Sequence, residues 1–185
     1  MDEEQAIARL KQGDLSGLEA LVKAYQAQAV HTAFLIVGER ALAEDIAQAA
    51  FLKAAKTIGQ FDASRPFRPW FLRMVVNDSL KAARRQQRNP SLDAPSPAIL
   101  AWLTDPAPGP QELVEAGELQ QVVWNAIRQL SPEQRAVIVQ RHFLEMDEAE
   151  MVQALQRPPS TVKWRLHTAR ERLKTLLRPE SGRQK

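Results

Sequence analysis

Six of the twelve prolines crowd into residues 90–110 (Pro90, Pro95, Pro97, Pro106, Pro108 and Pro110). Proline fixes φ and offers no N–H, so this stretch can form neither a long helix nor a central strand. The chain is thereby cut into two folding units joined by an extended, semi-rigid tether. Its 185 residues accommodate two small domains comfortably. An apolar island, Ile99-Leu100-Ala101-Trp102-Leu103, interrupts the tether and calls for a surface to dock on, in its own domain or in a partner.

Both flanks read as helices. Residues 15–37 and 42–60 are rich in Ala, Leu, Glu, Gln and Lys, with apolar residues at helical spacing, and alternating strand patterns are absent. A further helix is expected from Pro69 to about Arg88. In the second unit, Ser131-Pro132-Glu133-Gln134 supplies an N-cap serine, a first-turn proline and a capping-box glutamine. Asp147-Glu148-Ala149-Glu150 is a second capping box, opening a helix to about Leu155. The break Gln156-Arg157-Pro158 precedes Pro159, which suits a helix start, and a last helix runs from Ser160 to about Leu177. A short helix, a tight turn and a longer basic helix make a helix-turn-helix. The expected fold is all-α: a helical bundle in residues 1–89, a linker over 90–111, a helix-turn-helix domain over 112–178 and a tail over 179–185.

The net charge of +3 hides a strong segregation. Residues 65–88 hold seven Lys/Arg against one acid, and residues 157–178 hold seven against one. Residues 91–120 hold five acids and no base. Two basic stations separated by an acidic tether suit a polyanion gripped at two places.

Helical wheels turn these stations into faces. In the last helix, Val162, Leu166, Ala169, Leu173, Leu176 and Leu177 form one stripe, expected to be buried. Ser160, Lys163, Trp164, His167, Glu171, Lys174 and Arg178 gather opposite. A helix-turn-helix presents the start of this helix to base edges, so Ser160, Thr161, Lys163 and Trp164 are candidates for base contact. Arg165, Arg170 and Lys174 are candidates for phosphate. Trp164 either covers a thymine methyl or packs on a neighbouring helix. In the helix from Pro69, Phe71, Leu72, Val75, Val76, Ala82 and Ala83 share the expected buried half. Trp70, Arg73, Met74, Asn77, Lys81, Arg84 and Arg88 form a continuous row on the other. Uncharged residues among cations make a surface that stacks bases while holding phosphates. Upstream, Phe61-Asp62-Ala63-Ser64-Arg65-Pro66-Phe67-Arg68 reads as a basic, aromatic loop suited to receiving unstacked bases.

Several classes are disfavoured. No run of 18 apolar residues offers a membrane span, and the acidic start MDEEQ is the opposite of a signal peptide. Zero cysteines exclude disulfides and thiolate metal sites and fit a reducing cytoplasm, and His31, His142 and His167 lack metal-ligand spacing. No Gly-rich phosphate loop, Ser/His/Asp grouping or carboxylate cluster marks an enzyme or a cofactor site.

Three ordered segments resemble the extracytoplasmic-function group of RNA polymerase sigma factors. Ala43-Glu44-Asp45-Ile46-Ala47-Gln48-Ala49-Ala50-Phe51 is similar to the family's AED-hydrophobic-x-Q-x-x-F signature. The run from Phe61 through Phe67-Arg68-Pro69-Trp70-Phe71-Leu72 to Asn77 and Arg84-Arg85 resembles its FD…F-R-x-W-L…N…R-R segment. Leu130–Arg135 and Thr161–Leu173 resemble its LP-x-x-x-R and TVKSRLHRARERL. The resemblance implies that Asp45, Gln48 and Phe51 dock on core RNA polymerase. It implies that Phe61, Phe67, Arg68, Trp70, Arg73, Asn77, Lys81, Arg84, Arg85 and Arg88 recognise and melt the −10-type element of promoter DNA. It assigns the −35-type element to Ser160, Thr161, Lys163, Trp164, Arg165, His167, Arg170 and Lys174. It also implies a cytoplasmic bacterial protein and an anti-sigma factor as a further partner. The alternative is a stand-alone helix-turn-helix regulator that binds duplex DNA without polymerase.

The sequence departs from the family pattern at a few positions. Glu145 and Gln156 stand where glycine is usual, at turns that often need φ > 0. Pro158 replaces a capping residue, Val152 a close-packed alanine, Trp164 a serine, and Lys81 a frequent aspartate.

Overall fold

The chain opens on a helix, α1 (Glu3–Lys11), because Asp2 caps it: the Asp2 carboxylate accepts from Gln5 N at 2.8 Å. Glu3 and Glu4 in the first turn and Arg9 and Lys11 near the end complement the helix dipole. The computed structural model describes residues 1–88, with the Arg88 side chain excepted, and residues 121–178. The linker, the Ile99–Leu103 island and the tail lie outside them. The described residues fall into two units, dividing at Pro90 and Ser91.

In the first unit α1 is followed by α2 (Leu15–Val37), α3 (Arg40–Thr57), a 3-10 turn (Ile58–Gln60) and α4 (Phe67–Arg88). Asp14 caps α2 through Ser16 N at 2.9 Å, and Gly38, at φ 82, ends it in the left-handed conformation that glycine adopts without strain. Gly17 sets the spacing of α1 and α2: a Cβ there would lie 2.2 Å from the Ala6 carbonyl oxygen. The sequence offered no flag for α1, whose nine residues lie ahead of the strongly periodic segments.

Helix α3 packs through small residues. Ala43, Ala47, Ala50 and Ala54 are buried beside Ile46 and Phe51, so its backbone can come close to α2 and α4. From α4, Phe71, Leu72, Val75, Val76 and Ala83 point into the same core, as the wheel required, while Ala82 is half-buried. An aromatic cluster closes one end: Phe51 and Phe71 lie 4.4 Å apart between ring centres, Phe67 and Phe71 5.7 Å, and Phe61 and Phe67 5.6 Å edge-on.

The second unit contains a helix over 121–128 (α5), α6 (Pro132–Ile138), α7 (Glu148–Leu155) and α8 (Pro159–Leu176). Both capping boxes read from the sequence are present. Ser131 Oγ accepts from Gln134 N at 3.2 Å while Ser131 N donates to the Gln134 side chain at 3.1 Å. Asp147 and Glu150 make the same exchange at 2.8 Å in each direction. Helix α6 runs on into a π-helical turn, Val139–Phe143, closed by Leu144 N donating to Val139 O at 2.9 Å. That turn carries Gln140 fully into the core, where neither side-chain polar atom has a hydrogen-bond partner.

The two positions where glycine was expected are the non-glycine residues of positive φ among the described ones: Glu145 at φ 57 and Gln156 at φ 50. The last helix departs from its wheel. Only Val162 and Ala169 of the six-residue stripe are fully buried; Leu166, Leu173 and Leu176 are half-buried and Leu177 is exposed. The 18 residues of α8 outrun the seven of α6 and the eight of α7 that pack on it, leaving its last turns partly uncovered.

Candidate nucleic-acid interface

On α4 the expected row is largely present at the surface. Trp70, Arg73, Met74, Asn77 and Arg84 are half-buried, Lys81 and Arg85 exposed, and the helix ends at Arg88. Trp70 is fixed from beneath, its ring 4.9 Å from Phe61 and 5.5 Å from Phe67. A half-buried indole held by two neighbouring rings loses little freedom on stacking against a base. Arg68 is held through Nε, which donates to Gln28 Oε1 at 3.1 Å. Asp78 lies between Lys53 of α3 at 3.3 Å and Lys81 at 3.4 Å, so Lys81 is drawn toward its own helix.

Of the residues expected to meet the −10-type element, Phe61 and Phe67 are placed in the core, 4% and 1% exposed, on either side of the loop before α4. Burying two aromatic rings outweighs any gain from presenting them to solvent. What the loop exposes is Asp62 to Pro66. The Asp62 carboxylate accepts from Ser64 Oγ at 2.7 Å and Ser64 N at 3.0 Å. Those bonds, the side-chain one foremost, hold Asp62 below the usual carboxylate range, and Arg65 and Lys11 add to the effect.

A second exposed face belongs to α3. Asp45 and Gln48 stand in solvent, whereas Phe51, expected beside them in the polymerase contact, is buried against Phe71. The next residue, Leu52, is 55% exposed and falls at helical spacing from Asp45 and Gln48. A helical wheel of residues 42–60 carries this signal.

In the second unit the opening of α8 is bare. Ser160, Lys163, Trp164, His167, Arg170 and Lys174 are exposed, and Thr161 and Arg165 half-buried. Trp164 is 63% exposed, so of its two readings, packing on a neighbouring helix of the unit falls away. Lys163 Nζ lies 3.2 Å from a Glu148 oxygen at the start of α7, tying the two helices of the motif together. Lys174 pairs with Glu171 at 3.1 Å. The π-helical turn adds a cation that the sequence did not single out, Arg141, with His142 beside it. His142 is kept below the ordinary imidazole range by partial burial first, then by Arg170 and Arg141. Arg141 and Arg170 thus lie close enough to act on a neutral His142, a grouping set by the turn's geometry and invisible to any wheel.

Known proteins match this arrangement unit by unit. Sigma-70 region 2 matches residues 21–89 and Sigma-70 region 4 matches residues 120–173. The chain is 30% identical over 177 residues to the ECF RNA polymerase sigma factor SigW of Bacillus subtilis strain 168, spanning 93% of this chain and 95% of that protein. The chain belongs to the extracytoplasmic-function RNA polymerase sigma factors.

The fold of this sigma factor is also that of two solved structures. One is CnrH in complex with the cytosolic domain of CnrY, at 20% identity and TM-score 0.64 over 95% of this chain and 96% of that one. The other is the sigma factor RpoE in complex with the anti-sigma factor NepR from Bartonella quintana, at 19% identity and TM-score 0.62 over 88% and 97%. As a sigma factor the chain binds core RNA polymerase and directs it to promoters, and a stand-alone operator-binding regulator is not favoured. Among the described residues no helix is long and apolar enough to cross a membrane.

Proposed function

We propose that the sigma factor divides its work among three surfaces. Asp45, Gln48 and Leu52 on α3 dock on core polymerase. The α4 face, with Trp70 at its centre and Arg73, Asn77, Lys81, Arg84, Arg85 and Arg88 along it, takes the −10-type element as it opens. The start of α8 reads the −35-type element as duplex through Ser160, Thr161, Lys163, Trp164 and His167, with Arg165, Arg170 and Lys174 on phosphates. Phe51, Phe61 and Phe67 serve as the packed base beneath the two surfaces of the first unit.

The observation that carries this reading is the separation of faces in the first unit. The stretch of α3 from Glu44 to Leu52 exposes Glu44, Asp45, Gln48, Ala49 and Leu52 and no cation, which suits a protein. Helix α4 pairs a half-buried indole with a row of cations, which suits a strand whose bases are leaving the stack. The sigma factor acts in the cytoplasm without catalysis of its own, placing the chemistry in the polymerase. An anti-sigma factor is its further partner, in keeping with the RpoE–NepR complex and with the half-covered leucines of α8.

A polymerase pull-down tests the division. Asp45→Ala and Leu52→Ala are expected to weaken capture of core polymerase, whereas Lys163→Ala leaves capture intact and impairs only promoters that depend on the upstream element. Equal behaviour of all three variants would overturn the assignment.

A further inference from the structure

Trp164 is the sixth residue of α8, inside the two turns that a helix-turn-helix offers to the major groove. It is 63% exposed, and none of the aromatic rings among the described residues packs against its own. A large apolar side chain left in water forgoes the stabilisation that any core position would give it. Its surroundings suit a polyanion: Lys163 and His167 stand exposed beside it and Arg165 half-exposed. Helical side chains lean toward the N-terminus, so the ring covers the turn of Ser160 and Thr161, the end of the helix that enters the groove most deeply.

In a closed duplex the bases stay stacked, and an indole in the major groove meets only what projects from base edges. Those edges carry hydrogen-bond donors and acceptors and one apolar group, the C5 methyl of thymine. We propose that Trp164 is a specificity-determining residue that reads this methyl group, committing the −35-type element to a thymine at the position it faces. The inference rests on the assignment of α8 to duplex reading. The backbone is built to hold the residue there: Thr168 Oγ1 donates to the Trp164 carbonyl at 3.0 Å, and the Lys163–Glu148 pair braces the preceding residue against α7. The same methyl occurs on 5-methylcytosine, so the chemistry recognised is a pyrimidine C5 methyl and the base bearing it is what the test separates.

The test uses the full chain bound to core polymerase and a promoter fragment chosen by selection. Each thymine of the upstream element is replaced singly by deoxyuridine, which removes the methyl and nothing else. One position is expected to lose about fourfold in affinity, the worth of one buried methyl group. In Trp164→Ala holoenzyme, thymine and uracil bind equally at that position, while Trp164→Phe keeps part of the preference. Placing 5-methylcytosine there is expected to recover less than thymine does; full recovery would overturn the commitment to thymine. Discrimination unchanged in Trp164→Ala, or no position sensitive to uracil in the wild type, would overturn methyl reading. A holoenzyme indifferent to scrambling of the whole element would instead remove the duplex-reading role of α8 from which the inference starts.

Discussion

Replacing Gln156 by glycine should stabilise the second unit. Gln156 ends α7 at φ 50 and ψ 47, a conformation in which Cβ crowds the following carbonyl. That strain costs an L-residue roughly 1–2 kcal/mol, and glycine relieves it. Glycine gives back about 0.4–1 kcal/mol through the greater freedom of its unfolded chain. The Gln156 side chain is exposed, so its removal takes no packing with it. A net gain of about 0.5–1 kcal/mol remains, or a rise in Tm of about 2–8 °C for a unit of this size. Amide exchange localises the effect: the amides of α7 and α8 should exchange about 2- to 5-fold more slowly, while those of α2 and α4 are unchanged. Gln156→Ala is the control, since alanine keeps the strain and removes only the side chain. The reasoning fails if the glycine variant is no more protected than the alanine one. Glu145, at φ 57 and also exposed, offers an independent repeat of the measurement.

Gly17→Ala should lower the thermal midpoint of the first unit by the equivalent of about 1–3 kcal/mol, because the added methyl meets the Ala6 carbonyl and forces α1 from α2. Gly59→Ala, with open space at its Cβ, should leave that midpoint in place under the same calorimetry. Glu148→Gln should tighten binding of duplex promoter DNA up to about fivefold in fluorescence anisotropy, since it frees Lys163 from an exposed pair of about 0.2–1 kcal/mol and removes a carboxylate near phosphate. A weakened complex would mean that Glu148 serves to aim Lys163. Tyr25 is pushed up to about 12 by burial first and then by its hydrogen bond to Glu3. A raised folded pKa stabilises fully below the unfolded value near 10 and is lost as pH climbs toward 12, so urea midpoints should fall across that window. Tyr25→Phe should flatten the fall; an unchanged pH profile would contradict this.

The sequence was legible wherever local chemistry decides structure. The Ser131 and Asp147 capping boxes each bind their own backbone within three residues, and both formed as written. Positive φ at Glu145 and Gln156 was legible through the family resemblance, since neither residue type advertises that conformation. Tertiary packing was harder to read. Phe61 and Phe67 flank a short loop with no helical period, so nothing in their spacing reveals that both rings turn inward. Phe51 carries the family signature, yet only its place across from Phe71 shows that its ring is buried while Leu52 faces outward. The leucines of α8 follow a clean stripe, but a wheel knows the direction of a face and not the length of what covers it. The π-helical turn that brings Arg141 and His142 beside Arg170 left no mark in the periodicity, because it inserts one residue into a turn otherwise like any other.

The central claim is that an α4 face built around Trp70 opens promoter DNA within the polymerase. Open-complex formation tests it most directly, with 2-aminopurine placed in the −10-type element and fluorescence followed after mixing with holoenzyme. Wild-type chain should give a rise in fluorescence that depends on core polymerase. Trp70→Ala should bind the polymerase normally and lose most of that rise. An undiminished rise with Trp70→Ala, or tight duplex binding without polymerase and no opening with it, would contradict the account.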